Sequence, residues 1–395
     1  MTSNFILDDN VCFNVCSCRK GNIDCRRRGL NEVPDFDVTE DVVSTLLTGD
    51  RVLMIRLGNN NIRSIPNEAF VNLTTIGARY FYFYLDNNVI SNVDSRAFAG
   101  FESKILQIFL QDNKLTEVPS AIASLEVTKL DLSGNNLTSF TALENKIIYN
   151  LNVGLGAITQ WPSSLTLTTV ADTLQIKGYS SRNLDGFVIS GQLASLIIAE
   201  TKIVDVSFLN CDASVNVSLL TDVYFRNNEA LDVSTLFKCN GTLNLEQISI
   251  RGSHLAVLPP QLRQQSQLEK IDVSNNSIVN IDDEDLKGLV NLKELYLSHN
   301  PIKTISLHAF DTNVNLAIVQ FLDTALATFP LAVTSLPSRP LSLTFTFPMY
   351  VQCHCDDLAA MALINGTRFL NRIYCISNSA VDVPTAFDTV LINCP

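Results

Sequence analysis

Cysteine is the residue with the clearest chemistry in this 395-residue chain, because eight of its ten cysteines stand in two clusters at the ends. Cys12, Cys16, Cys18 and Cys25 form C-x3-C-x-C-x6-C; Cys353, Cys355, Cys375 and Cys394 form C-x-C-x19-C-x18-C. Thiols so spaced can bridge in pairs or, as thiolates, hold zinc. Two clusters at opposite ends of the array described below read as staples for small caps, formed in an oxidising compartment. Other reactive chemistry finds little support. The four histidines, His254, His299, His308 and His354, accompany no nucleophile elbow, phosphate loop or H-E-x-x-H motif. The acidic run Asp282, Asp283, Glu284 and Asp285 lacks the spacing of a calcium loop and reads as a polar turn. The sequence therefore predicts no enzyme, no cofactor and no metal.

What lies between the clusters must position anything the protein does, and it is repetitive. In LKELYLSHNPI, residues 292–302, Leu292, Leu295, Leu297, Asn300 and Ile302 fall at positions 1, 4, 6, 9 and 11. Such a unit is a short strand with inward apolar residues, turned by an Asn whose amide can bond neighbouring backbone. One unit cannot bury its own core, whereas a stack of them makes a continuous one. Counted by position 9, the units carry Asn60, Asn88, Asn113 and Asn135, then Gly156, Tyr179 and Thr201, then Asn228, Ser253, Asn276, Asn300 and Thr324. That gives about 12 repeats, spaced 21 to 28 residues apart, with a degenerate register near 145–220. The longer units ending at Asn88 and Asn228 must bulge on the convex or lateral side. Ile65, Phe70 and Leu73 fill the convex side of the first unit. A partial strand, LSLTFTF, leads into the rear cluster.

The repeat and both clusters resemble extracellular leucine-rich-repeat proteins with N- and C-terminal cysteine caps, of the Slit, Toll-like receptor and variable lymphocyte receptor type. CRRRGLNEVPDF places Leu30, Val33 and Pro34 where that family has L-x-x-V-P, and FPMYVQCHC carries its C-x-C opening. The Trp usual after that opening is absent from CHCDDLAAMALI. The resemblance implies an α/β solenoid: a horseshoe with a concave parallel β-sheet, a mostly irregular convex side and disulfide caps. It also implies the pairs Cys12–Cys18, Cys16–Cys25, Cys353–Cys375 and Cys355–Cys394. The expected organisation is a front cap over 12–50, repeats over 51–346 and a rear cap over 347–395. Twelve strands about 4.8 Å apart would give an inner sheet roughly 60 Å long, the size of a protein surface. Cys211 and Cys239 hold corresponding convex positions in adjacent units and are expected to pair across the degenerate middle.

Charge and sequons agree with an extracellular setting. Net charge is −12 and only 17% of residues are charged, against 46% apolar, which favours a core and argues against nucleic acid as partner. N-x-S/T sequons occur at Asn72, Asn136, Asn216, Asn240, Asn275 and Asn365. Asn72, Asn216 and Asn240 map to the convex or descending side, Asn136 to the ascending edge and Asn365 to the rear cap; Asn275, at position 8, lies beside the inner sheet. MTSNFILDDNV has no basic start or cleavage site, so a native signal is expected to have been removed ahead of it, with Met1 not the native initiator. No run approaches eighteen apolar residues, so membrane anchoring is expected only through a segment beyond Pro395.

Binding must then come from outward strand positions 2, 3, 5, 7 and 8. YFYFYLDNN is expected to place Tyr82 and Tyr84 outward and Tyr80, Phe83 and Leu85 inward, with Met54, Arg56 and Phe109 joining the outward set. Aromatic and arginine side chains dominate interface energetics, so this set is the candidate site for a protein ligand. A second set comprises Ile197, Tyr224, Arg226, Arg251 and Tyr296. Basic Arg19, Lys20, Arg26, Arg27 and Arg28 in the front cap could draw a sulfated glycan. Oligomeric state is not legible. The expected function is extracellular recognition, as a receptor ectodomain in innate recognition, adhesion or guidance, with a secreted matrix protein as the second reading.

Overall fold

The computed structural model describes residues 11–46, 51–184, 186–188, 191–207, 209, 219–237, 243–326 and 330–335, with the backbone of strands Ser342–Phe345, Cys375–Ser377 and Ser379–Val381. Cys211, Cys239, Cys353, Cys355 and Cys394 lie outside the described residues, as do the side chain of Cys375 and the sequons at Asn216, Asn240 and Asn365. The chain divides into two compact units, the first running to Ala194 and the second beginning at Ser195.

The first unit starts with strands Val11–Cys12, Cys16–Arg19 and Asn22–Asp24, paired antiparallel in sequence order. Disulfides join Cys12 to Cys18 and Cys16 to Cys25, with Cα atoms 5.7 and 4.4 Å apart, and all four cysteines are buried. A hairpin too small to bury a core of its own is thereby held against the repeats. Asn22–Asp24 then pairs parallel with Val52–Arg56. Parallel pairing continues through Tyr80–Tyr84, Ile105–Phe109, Glu126–Leu132, Ile147–Gly154 and Thr169–Lys177.

In the second unit Ser195–Ala199, Asp222–Arg226, Gln247–Arg251, Lys270–Asp272, Glu294–Tyr296, Ile318–Phe321 and Ser342–Phe345 pair parallel in sequence order. In both units the returning chain is mostly turns and short 3-10 helices, such as Val71–Ile76 in the first and Pro260–Gln264 in the second. Ile65, Phe70 and Leu73 are fully buried there.

Asparagine ladders tie the repeats together. Asn113 donates to Leu85 O and Leu110 O at 3.0 Å each and accepts from Ile90 N at 2.9 Å, so one buried amide serves two repeats. Asn88, Asn135 and Asn300 do the same. Asn60 begins the ladder on the cap, donating to Cys25 O and accepting from Arg28 N and Leu30 N. The ladder lapses at Gly156 and Tyr179, where the sheet compensates with length. Ile147–Gly154 and Thr169–Lys177, of 8 and 9 residues, share seven register pairs. Tyr179 fills its repeat, fully buried, and its hydroxyl donates to Thr159 O.

Two sequence expectations need correction. Tyr80 does not point inward: it is half-buried on the outer face with Tyr82 and Tyr84, while Phe81, Phe83 and Leu85 are fully buried. Position 2 is therefore inward, not outward, in the first three repeats, where Leu53, Phe81 and Leu106 fill the core. These strands run five residues in strict alternation, which fixes every second side chain on one face. The L-x-x-L spacing begins at Val127, where an irregularity in register lets Thr128 slip in as the extra residue.

Candidate binding face

Strand alternation puts Met54, Arg56, Tyr80, Tyr82, Tyr84, Gln107 and Phe109 on the outer face of the first unit. Register brings Arg56, Tyr84 and Phe109 directly side by side on adjacent strands. The Arg56 guanidinium lies over the Tyr84 ring, 4.6 Å from its centroid, and its Nε donates to Asn22 Oδ1 at 2.8 Å. Tyr84 and Phe109 stack with centroids 4.6 Å apart and planes 2° from parallel. From the next strand the Lys129 ammonium reaches Phe109 at 5.4 Å. The result is a row of cation, ring, ring and cation across four strands. Cation–ring contacts at exposed sites contribute about 0.5–1 kcal/mol each and ring pairs about 0.5–1.5 kcal/mol beyond burial, so the row is held before any ligand arrives. Met54 accepts a contact from Arg56 at its sulfur, 3.3 Å away. The Tyr82 side chain, half-buried beside the row, has no hydrogen bond, ion pair or ring contact among the described residues.

Sequence reasoning passed over Lys129 and Asn22, although Lys129 occupies outward position 3 of VTKLDLSGN. It also passed over Ile147 and Tyr149, which stand 64% and 54% exposed where the asparagine ladder lapses.

The candidate residues of the second unit are differently employed. Tyr224 lies beneath Arg226, 5.5 Å away, and its hydroxyl sits 3.3 Å from both Asp222 and Gln247. Arg251 faces Asp272 at 3.7 Å. Lys270 pairs with Glu294 at 3.0 Å and lies over Tyr296, whose hydroxyl donates to Glu294 at 2.9 Å. Burial and the Glu294 carboxylate push the Tyr296 phenol up to about 12. Burial alone would raise Glu294, but hydrogen bonds from Lys270 and Tyr296 outweigh it and leave its pKa below the ordinary value. Burial, with help from Asp222, raises Tyr224 as well. This face is a polar mesh in which Arg251 and Asp272, and Lys270 and Glu294, are paired and Arg226 rests on Tyr224. Ile197 is half-buried on the same face.

The five cap cations do not form one cluster. Arg26 is committed to Asp24, at 2.7 Å, beside Arg27 and Arg28, whereas Lys20 sits at the hairpin tip near the start of Val52–Arg56. The acidic run is a surface turn: Asp285 accepts from Asp282 N, Asp283 from His308 N, and Glu284 pairs with Arg263 and Lys287. Among the described residues no three acidic, cysteine or histidine side chains converge as metal ligands.

The family profile described as "Leucine rich repeat" matches residues 266–319, inside the second unit. That segment carries leucine-rich repeats, and the parallel strand succession has the leucine-rich-repeat fold. The chain is 25% identical to keratocan of Bos taurus over 268 residues, 60% of this chain and 70% of that protein. Keratocan of Mus musculus is 24% identical over 315 residues, 71% of this chain and 84% of its own length. Leucine-rich repeats and immunoglobulin-like domains protein 1 of Homo sapiens is 32% identical over 131 residues, 32% of this chain and 10% of that protein. Among solved structures, a leucine-rich-repeat protein of Leptospira interrogans aligns with TM-score 0.38 and 17% identity over 78% of this chain and 91% of its own.

Proposed function

We propose that the protein is a non-enzymatic extracellular recognition module whose ligand is another protein, bound on the outer strand face of the first unit. The row of Arg56, Tyr84, Phe109 and Lys129 carries this reading. It is pre-assembled by side-chain contacts, it is not buried, and it presents the residue types that concentrate interface energy. Tyr82 and Met54 extend it. Tyr224, Arg226, Arg251 and Tyr296 are the weaker part of the proposed site, because their polar groups already satisfy one another and a ligand would have to replace those contacts. The test is a screen of the secreted chain against displayed extracellular proteins. A partner should be retained by the wild type and lost by Tyr82→Ser/Tyr84→Ser/Phe109→Ser at equal folding; partners indifferent to the triple change would remove the face from consideration.

Two settings fit this module. A receptor ectodomain accords with the cap pattern, and a secreted matrix protein is the second reading, set beside the likeness to keratocan over most of that protein's length. No helix among the described residues is long and apolar enough to cross a membrane. Fractionation of cells making the native gene product separates the readings: detergent-extracted surface protein supports a receptor, and a matrix deposit released by salt supports the second. The cap boundaries 12–50 and 347–395, the rear disulfides and the use of Asn72, Asn136 and Asn275 as glycan acceptors belong to the same proposal. All three asparagines are exposed.

A further inference from the structure

Parallel strands all begin at the same edge of a sheet, so residues just before each strand form a row. In the first unit that row is basic. Lys20 occupies the tip of the cap hairpin, whose Gly21 O accepts Met54 N at 2.8 Å. Arg51 immediately precedes Val52–Arg56, Arg79 precedes Tyr80–Tyr84, and Lys104 precedes Ile105–Phe109. Their order is fixed by backbone: Arg51 O accepts from Arg79 N and Tyr80 N, and Arg79 O from Ile105 N. At about 4.8 Å per strand the row spans roughly 14 Å. Among the described residues none of the four has an ion pair, although Arg79 lies over the Tyr80 ring at 5.7 Å and Lys104 over Phe81 at 5.9 Å. Lys20, Arg51 and Arg79 are exposed, and Lys104 is tethered through Ala78 O at 3.1 Å. Exposed Glu126 ends the row at the next strand, and Glu102 flanks it without pairing. At the opposite ends of the strands Asp86 and Asp112 stand in the turns that follow, with Arg26, Arg27 and Arg28 beside Asp24 and Asn59.

We propose that this strand-start edge binds a linear sulfated glycan lying across the strands. Cations without an acidic partner at regular strand spacing match a chain with repeated anionic groups rather than a point ligand. The basic row lies at the strand starts, whereas Arg56, Tyr84 and Phe109 are the last residues of their strands, which leaves the aromatic row free for the protein ligand. Sulfated glycan is favoured over nucleic acid because this inference rests on the extracellular reading above. The site differs from that expected on sequence alone, since Arg26 is spent on Asp24 and only Lys20 of the cap joins the row.

The experiment measures binding of a heparin-derived oligosaccharide to the whole chain, with its desulfated counterpart and single-stranded oligothymidylate as the other two probes. Lys20→Glu/Arg79→Glu/Lys104→Glu should weaken the sulfated probe about tenfold or more. The milder Arg51→Gln/Arg79→Gln should weaken it less, and serves if the triple change impairs folding. Arg27→Glu/Arg28→Glu should leave binding nearly unchanged. Absence of binding at physiological salt, equal binding of the desulfated or nucleic-acid probe, or dependence on Arg27 and Arg28 instead of the row would each overturn the proposal. None of these outcomes touches the aromatic row, so the protein-ligand reading stands or falls separately.

Discussion

At the scale of single residues, the buried asparagines show how one side chain sustains a repeat. Asn113→Ala deletes the hydrogen bonds donated to Leu85 O, Leu110 O and Gln111 O and strands Ile90 N away from water, while Leu85 O and Leu110 O keep the amides of Asn88 and Asn135 as donors. Unsatisfied buried polar groups cost about 1–3 kcal/mol, so chemical denaturation should report a loss of that order for the first unit. Tyr296 offers a test of electrostatics. Its pKa of about 12 lies above the ordinary 10.0 because of burial and Glu294. The folded-state pKa is raised, so this phenol's contribution to stability is complete below pH 10 and is lost as pH climbs through the interval up to about 12. Glu294→Gln should bring the phenol part-way back in an ultraviolet titration, and an unmoved Tyr296 would contradict the hydrogen bond. Asp24 works in the opposite sense. Its hydrogen bond from Arg26 lowers its pKa from 3.8, so the stabilisation is present above that value and disappears as pH falls below it.

At the scale of elements, the turn that follows each strand sets the spacing of the repeats. Position 8 takes the left-handed conformation at Asn59, Asn87, Asp112, Gly134, Asn227, Gly252, Asn275 and His299. Asparagine, aspartate and glycine tolerate it best, which accounts for their abundance just before the ladder residue. At Gly134 the close approach is also steric: a Cβ there would sit 2.1 Å from Asp112 Oδ1 and 3.0 Å from its backbone nitrogen. Gly134→Ala should therefore destabilise the first unit, and Asp112→Ala should recover part of the loss by removing the carboxylate while the strain of φ +68° remains. Much of this architecture is legible in sequence. Leu151, Val153, Leu174, Ile176, Leu196 and Ile198 are buried even where the asparagine is missing, because inward apolar pairs survive when the ladder does not. Tyr80 is not legible in the same way. The repeat pattern assigns position 1 to the core, but a five-residue alternating strand gives that place to Phe81 instead. Partnering is still harder to read: Tyr84 and Tyr296 are alike in sequence terms, and only register shows one stacked on Phe109 and the other tied to Glu294.

At the scale of the whole molecule, two units built from the same repeat present contrasting outer faces. The first carries a pre-stacked aromatic row with a basic edge, and the second a mesh of mutually paired charges. Fold alone does not decide which face binds. Surface side chains that already satisfy one another resist being displaced, whereas rings held in place and open to solvent can be covered at little cost in ordering. The most direct measurement is the affinity of a captured protein partner for two variants of equal stability, one with Tyr82→Ser/Tyr84→Ser/Phe109→Ser and one with Tyr224→Ser/Arg251→Ser/Tyr296→Ser. The account predicts that the first weakens binding about a hundredfold or more, the loss of roughly 3 kcal/mol or above, while the second changes it only slightly. The reverse pattern, or no change in either variant, would contradict it.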